Sequence, residues 1–327
     1  QRVSLADKHL QDYAREINLE AARLARKEAD AYTLMNPRKP RYVLGSVGPT
    51  SKTLSIGESA EFNEDILHDA YYEQIEALID GGVDAVLIET IFDIENAKVA
   101  LRCCKEVMLK KGFRLPIMMS FTVASEDGHN MLGQSVVDFV KSLNDDSVFS
   151  VGLNCSLNAA KMAPIIQRMA AETGYYISMF PNAGLPDEHG HYLDTPKMMQ
   201  TEIWPIVEAH LLNVVGGCCG TDDLHIREIA KLVQPIEGLF ITPHYPGGAG
   251  NSGVSGVSSL SSVSSDSSLS RISSFSSISR DSSAPVKEKK CSCGIDHDAA
   301  PVATSKPESN AAEEVFEAIL AGKGDKA

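Results

Sequence analysis

Nowhere in the sequence do as many as about 18 apolar residues follow one another, so no membrane-spanning helix is expected. Positive charge is also in deficit. Lys and Arg number 30 against 44 Asp and Glu, and the formal net charge of −14 argues against a nucleic-acid-binding surface and against contact with an anionic membrane. There is no HExxH, and residues 45–50 (GSVGPT) resemble neither a Walker-type phosphate loop nor GxGxxG; they read as a turn at a strand end. CxxC pairs are missing too. The seven cysteines fall at irregular spacing, two pairs of them adjacent, which is no disulfide framework. A reducing, cytoplasmic setting is the expectation, and there clustered cysteines serve metal binding or catalysis more often than cross-linking.

What the chain does have is a core and a repeat. Its 327 residues are 43% hydrophobic, enough for one large domain with appendages or two small ones. Residues 5–33 predict one amphipathic helix, with Leu10, Tyr13, Ala14, Ile17, Ala21, Leu24 and Ala25 recurring at spacings of three and four. Six β-rich runs follow, at 42–48, 85–92, 116–123, 148–155, 175–181 and 213–217, with helical patterns between them, as at 65–80 and 96–110. The runs are nearly continuous in apolar residues, so both sheet faces are expected to be covered, in a parallel α/β fold. A closed (β/α)8 barrel needs two more strand–helix units, which this reading places before Gln1; a complete open, doubly wound sheet is the rival. The domain is expected to span residues 1–245. Residues 246–310 are rich in Ser and Gly, with sparse apolar residues at a period of three from Val254 to Ile278, and predict a disordered linker. Residues 311–327 carry a short amphipathic helix (AAEEVFEAILA).

In parallel α/β folds reactive groups collect at the carboxyl ends of strands. Cys155 closes one strand in GLNCS, Cys218 and Cys219 close the last in GGCCGT, and Asn182 closes the strand between in FPNAG. Neighbours on a regular strand point to opposite faces, but the glycines around the CC pair permit a turn that aims both thiols one way. Three thiolates from two strands suit a soft tetrahedral ion with an open position, best a Zn²⁺. Such a site binds an incoming thiol, removes its proton and keeps its sulfur nucleophilic. The same cysteines also read as small buried hydrophobes or as a strained vicinal disulfide. Cys103 and Cys104 lie in a helical stretch at core spacing and read as packing; Cys291 and Cys293 with His297 form a weaker metal motif in a polar tail. Glu89 ends an apolar strand, where a carboxylate receives a substrate ammonium group or simply meets water. Asp84 reads as loop chemistry, and His129, His189, His191 and His225 as solvated.

The segments AREINLEAARLAR, PRYVLGSVGPT, GGVDAVLIETIFDIENAK, LGQS, GLNCS, FPNAGLP and VVGGCCGT together resemble the homocysteine S-methyltransferase family, which includes the homocysteine-binding barrel of cobalamin-dependent methionine synthase. The resemblance runs from about residue 5 to residue 236. It implies a (β/α)8 TIM-type barrel whose first two strands are absent here. It also implies zinc on Cys155, Cys218 and Cys219, an amine-binding role for Glu89, and an Asn182 that approaches the zinc when substrate is absent. The implied reaction is methyl transfer to the homocysteine thiol, giving methionine. The implied donor is methylcobalamin charged from methyltetrahydrofolate, carried on modules outside this chain, with S-methylmethionine or betaine as sibling donors. Two family features have no match: the glycine-rich first-strand loop that holds the amino-acid end of homocysteine, and the DxHxxG cobalamin signature, which residues 187–190 (DEHG) break. The competing expectations are a non-catalytic zinc-binding fragment and a thiol–disulfide enzyme using Cys218 and Cys219.

Overall fold

A computed structural model of the protein describes residues 1–233, apart from Arg38 and Ala60. The expected linker at 246–310, the helix at 311–327 and the Cys291, Cys293 and His297 motif lie outside the described residues. The predicted parallel α/β fold is present. Strands β1 (Leu44–Val47), β2 (Ala85–Ile91), β3 (Ile117–Phe121), β4 (Val148–Asn154), β5 (Tyr176–Phe180) and β6 (Val214–Val215) form one sheet in chain order. Every pairing is parallel, and the sheet is curled like part of a barrel wall. Among the described residues β1 and β6 each have a single strand neighbour. Helices return the chain between strands: α3 (Glu64–Asp80), α4 (Ile94–Lys111), α5 (Val136–Ser142), α6 (Ala159–Glu172) and α7 (Pro196–Glu208), with α8 (Asp223–Val233) after β6. Asn63, Asp93, Ser135, Asn158 and Thr195 cap α3 to α7, each accepting a bond from a free first-turn N–H.

The leading helix departs from expectation. The single helix predicted over 5–33 is α1 (Arg2–Ala6), a 3₁₀ turn at Gln11–Tyr13, and α2 (Ala14–Met35). His9 breaks it by adopting a left-handed backbone (φ 57°). The turn lets α2 start afresh with Ala14 fully buried. Asp84 is also more than loop chemistry. Its carboxylate accepts the Val43 N–H at 2.8 Å and pairs with Arg26 at 2.5 Å, tying α2 and the approach to β1 to the start of β2. No helix among the described residues is long and apolar enough to cross a membrane.

The strands divide their side chains by alternation. Ile117, Met119, Phe121, Val151, Leu153, Ile177 and Met179 join one buried cluster with Ile75 of α3, Val107 of α4, Ile166 of α6 and Ile203 of α7. Each such side chain contributes about 1.5–3 kcal/mol on burial. Cys103 and Cys104 belong to this cluster, as expected; burial foremost pushes the Cys103 thiol up to about 12. The alternate positions Ser120, Gly152 and Ser178 stand in register on the opposite face and are small or polar. There β4 and β5 come so close that a Cβ on Gly152 would lie 1.9 Å from the Ser178 carbonyl oxygen. Backbone cannot yield as a side-chain tip can, so Gly152→Ala should cost at least about 1–3 kcal/mol. A fall in the urea midpoint checks this; an unchanged midpoint would show slack in the sheet.

Candidate functional site

The three cysteines singled out by spacing converge. β4 ends at Asn154, and the next two residues, Cys155 and Ser156, both take left-handed backbones (φ 62° and 61°). For non-glycine residues that costs roughly 1–3 kcal/mol each. The bend is held by the Cys155 N–H on the Phe180 carbonyl at 3.1 Å, and by the Ser156 and Thr122 hydroxyls at 2.7 Å. β6 lasts two residues before Gly216 and Gly217 release the chain, and the Cys218 N–H then bonds the Pro181 carbonyl at 2.8 Å. Thr221 closes the turn, its hydroxyl donating to the Cys218 carbonyl at 2.7 Å.

The sulfur of Cys219 lies 3.5 Å from that of Cys155 and 3.9 Å from that of Cys218, and all three sulfurs fall within 4.8 Å of one another. They are free thiols, half-buried. Burial, reinforced by the nearby sulfurs, pushes the Cys218 thiol up to about 12, and burial raises Cys155 as well. The pocket thus resists three negative charges unless a cation offsets them. A tetrahedral zinc with Zn–S near 2.3 Å needs sulfurs about 3.8 Å apart, so the observed spacing and the soft donor set fit that ion.

Asn182 is buried beside the cluster. Its Oδ1 accepts the Cys219 N–H at 3.2 Å, and its own N–H bonds the Leu157 carbonyl at 3.1 Å. Glu89 is half-buried at the carboxyl end of β2 and accepts a bond from the Ser46 hydroxyl. The β2–β3 register shifts between Ile88 and Ile91, the stretch that carries Glu89, and Thr90 within it is left-handed (φ 56°).

Two neighbours escaped the sequence reading. Asn154 is 1% exposed and lies between Thr90 and Cys218. A polar residue closing an apolar strand was its signal, the same one that marked Glu89. Tyr192 stands beside Cys219, and its ring base packs on Gly220, where a Cβ would meet it at 2.3 Å. Burial foremost, then the neighbouring Cys219, holds its phenol above the usual range. It arrives on a loop with no motif of its own. His225 corrects an expectation: it is buried, not solvated, between the Asp222 carboxylate at 2.6 Å and the Asp194 carbonyl at 2.9 Å. His189 and His191 are exposed as expected, and His129 is half-buried beside Asp127.

If these sulfurs form a metal centre, Cys219→Ser should lower zinc affinity by more than about 100-fold, beyond the loss typical of supporting residues. Cys104→Ser, in the core, should leave it unchanged. Chelator competition on both variants checks this, and equal losses would refute the assignment.

Two solved structures of the homocysteine methyltransferase MmuM from Escherichia coli are similar to this chain. The apo form is 22% identical with a TM-score of 0.52, over 68% of this chain and 75% of that one. The oxidized form is 22% identical with a TM-score of 0.55, over 70% and 75%. At that identity they bear on the fold alone. The family described as homocysteine S-methyltransferase matches residues 1–233, the same span that the structure describes. By that match the chain belongs to the homocysteine S-methyltransferase family.

Proposed function

We propose that this domain methylates the thiol of homocysteine to give methionine, its six described strands forming part of a (β/α)8 barrel. The observation that carries the reading is the approach of three sulfurs from two separate strand ends to within 4.8 Å. A zinc ion held by Cys155, Cys218 and Cys219 would supply the positive charge that keeps an incoming thiol deprotonated at neutral pH. Asn182 keeps Cys219 turned into the cluster through the bond to its N–H. Glu89 receives the substrate ammonium, with Ser46 fixing its carboxylate. In the transfer the homocysteine sulfur loses its proton to solvent and attacks the methyl carbon. The new S–C bond forms as the donor–methyl bond breaks, and the bonding pair leaves with the donor.

The GLNCS, FPNAG and GGCCGT motifs and their order favour the methionine synthase type. Methylcobalamin charged from methyltetrahydrofolate is then the donor, brought by a module outside residues 1–233. S-methylmethionine and betaine are the alternatives, and supplying each donor to the zinc-loaded chain separates them. Thiol ligands work only while reduced, which supports a reducing compartment such as the cytoplasm.

Homocysteine titrated into the zinc-loaded chain should release about one proton per site, read by calorimetry in buffers of different ionisation enthalpy. Zinc uptake with no homocysteine response would instead identify a non-catalytic zinc domain. Glu89→Gln should weaken homocysteine about 10- to 100-fold, or ~1.5–3 kcal/mol, with zinc retained. Unchanged affinity would remove Glu89 from the site.

A further inference from the structure

We infer that Asn154 is a positioning residue that fixes the spacing between the ammonium-binding end of the site at Glu89 and the sulfur cluster, and so selects a thiol amino acid of one length. This rests on the homocysteine reading above. Asn154 uses its full hydrogen-bonding capacity in the space between the two ends. Its Oδ1 accepts the Thr90 N–H at 2.9 Å and the Ser120 hydroxyl at 2.8 Å. Its Nδ2 donates to the Thr90 hydroxyl at 2.8 Å and lies 3.9 Å from the Cys218 sulfur. The orientation of the amide is not free. A backbone N–H can only donate, so Oδ1 must face Thr90 N, and that leaves Nδ2 toward the sulfur.

Thr90 is the residue after Glu89, and it holds a left-handed backbone that a β-branched side chain adopts only under constraint. Asn154 supplies that constraint, gripping both the amide and the hydroxyl of Thr90. The conformation of Thr90 sets where β2 aims the Glu89 carboxylate. One buried side chain therefore touches the segment that presents the carboxylate and one of the three sulfurs. Glu89 stands on β2 and Asn154 on β4, with β3 between them, so the link spans two strand spacings of about 4.8 Å each. A ligand that must reach both ends is measured against this fixed gap. Homocysteine and cysteine differ by one methylene, a difference that a rigid site separates by about 10- to 200-fold.

The test uses the full chain loaded with zinc and two variants, Asn154→Ala and Thr90→Gly. The second keeps the left-handed turn, which glycine adopts freely, so it reports even where the first fails to fold. Binding of homocysteine, cysteine and 4-mercaptobutyrate, which is homocysteine without its amine, is measured by calorimetry alongside zinc content. In both variants homocysteine should weaken about tenfold or more and its preference over cysteine should shrink, while 4-mercaptobutyrate stays within about twofold and zinc is retained. Equal losses for homocysteine and 4-mercaptobutyrate, or loss of zinc, would overturn the inference and leave Asn154 as a support of the cluster. A wild-type chain that binds neither thiol would overturn the functional reading, and this inference with it.

Discussion

The site depends on the carboxyl end of β5. The carbonyl of Phe180 takes the Cys155 N–H at 3.1 Å, and that of Pro181 takes the Cys218 N–H at 2.8 Å. Asn182 takes the Cys219 N–H on its side chain at 3.2 Å, and the Ala183 N–H donates to the Cys219 carbonyl at 2.9 Å. Four consecutive residues thus hold both cysteine segments. The demand on them is geometric. β4 and β6 flank β5, so two strand spacings of about 4.8 Å separate them. The sulfurs of Cys155 and Cys219 nevertheless approach to 3.5 Å. Both chains must lean over the end of β5. The left-handed Cys155 and Ser156 do this on one side, and the glycines around the CC pair do it on the other.

That distortion is sustained by the other face of the sheet. Met119, Phe121, Leu153 and Met179 lie fully buried against the helices, and none of them takes part in the chemistry. The alternate positions, Ser120, Gly152, Asn154 and Ser178, add little hydrophobic stabilisation but leave small or polar surface beneath the reactive ends. One strand thereby serves two ends. Leu153 anchors β4, and the residues on either side of it, Gly152 and Asn154, allow close strand approach and arrange the site. Rigidity in the first set is what lets strained residues persist in the second.

This division also decides what could be read from the sequence. The apolar runs marked β2 to β5 because burial on both faces writes itself as continuous hydrophobicity, whereas β1 alternates exposed with buried residues and β6 is half-buried, against the expectation that both faces are covered throughout. The cysteines stood out because sulfur at a strand end is chemically conspicuous. Other features left no such mark. The break at His9 depends on Ala14 finding a buried seat, a tertiary fact that outweighs helical periodicity. His225 lies in a polar stretch, yet Asp222 and the Asp194 carbonyl satisfy both ring nitrogens, so its burial costs little. β6 shrank from five expected residues to Val214 and Val215; the Gly216 N–H still bonds the Met179 carbonyl at 3.1 Å, and the chain turns from Gly217 onward to deliver the thiols. The link from Asn154 to Thr90 joins residues 64 positions apart and is invisible without coordinates.

Acidity alone does not distinguish the cluster. Burial drives both Cys103 and Cys218 up to about 12, yet one is core and the other belongs to the site. The difference lies in their partners. The Cys103 sulfur donates to the His68 carbonyl at 3.4 Å, so its proton has a place to go and the neutral thiol is content. The sulfurs of Cys155, Cys218 and Cys219 face chiefly one another, with donors at the margin: the Asn154 amide near Cys218 and the Tyr192 phenol at Cys219. Donors at the rim favour negative charge on sulfur, while mutual repulsion forbids three such charges together. A soft cation would resolve that conflict as no rotation of a thiol can, and the proposed ion would account for side chains held together at the expense of backbone strain.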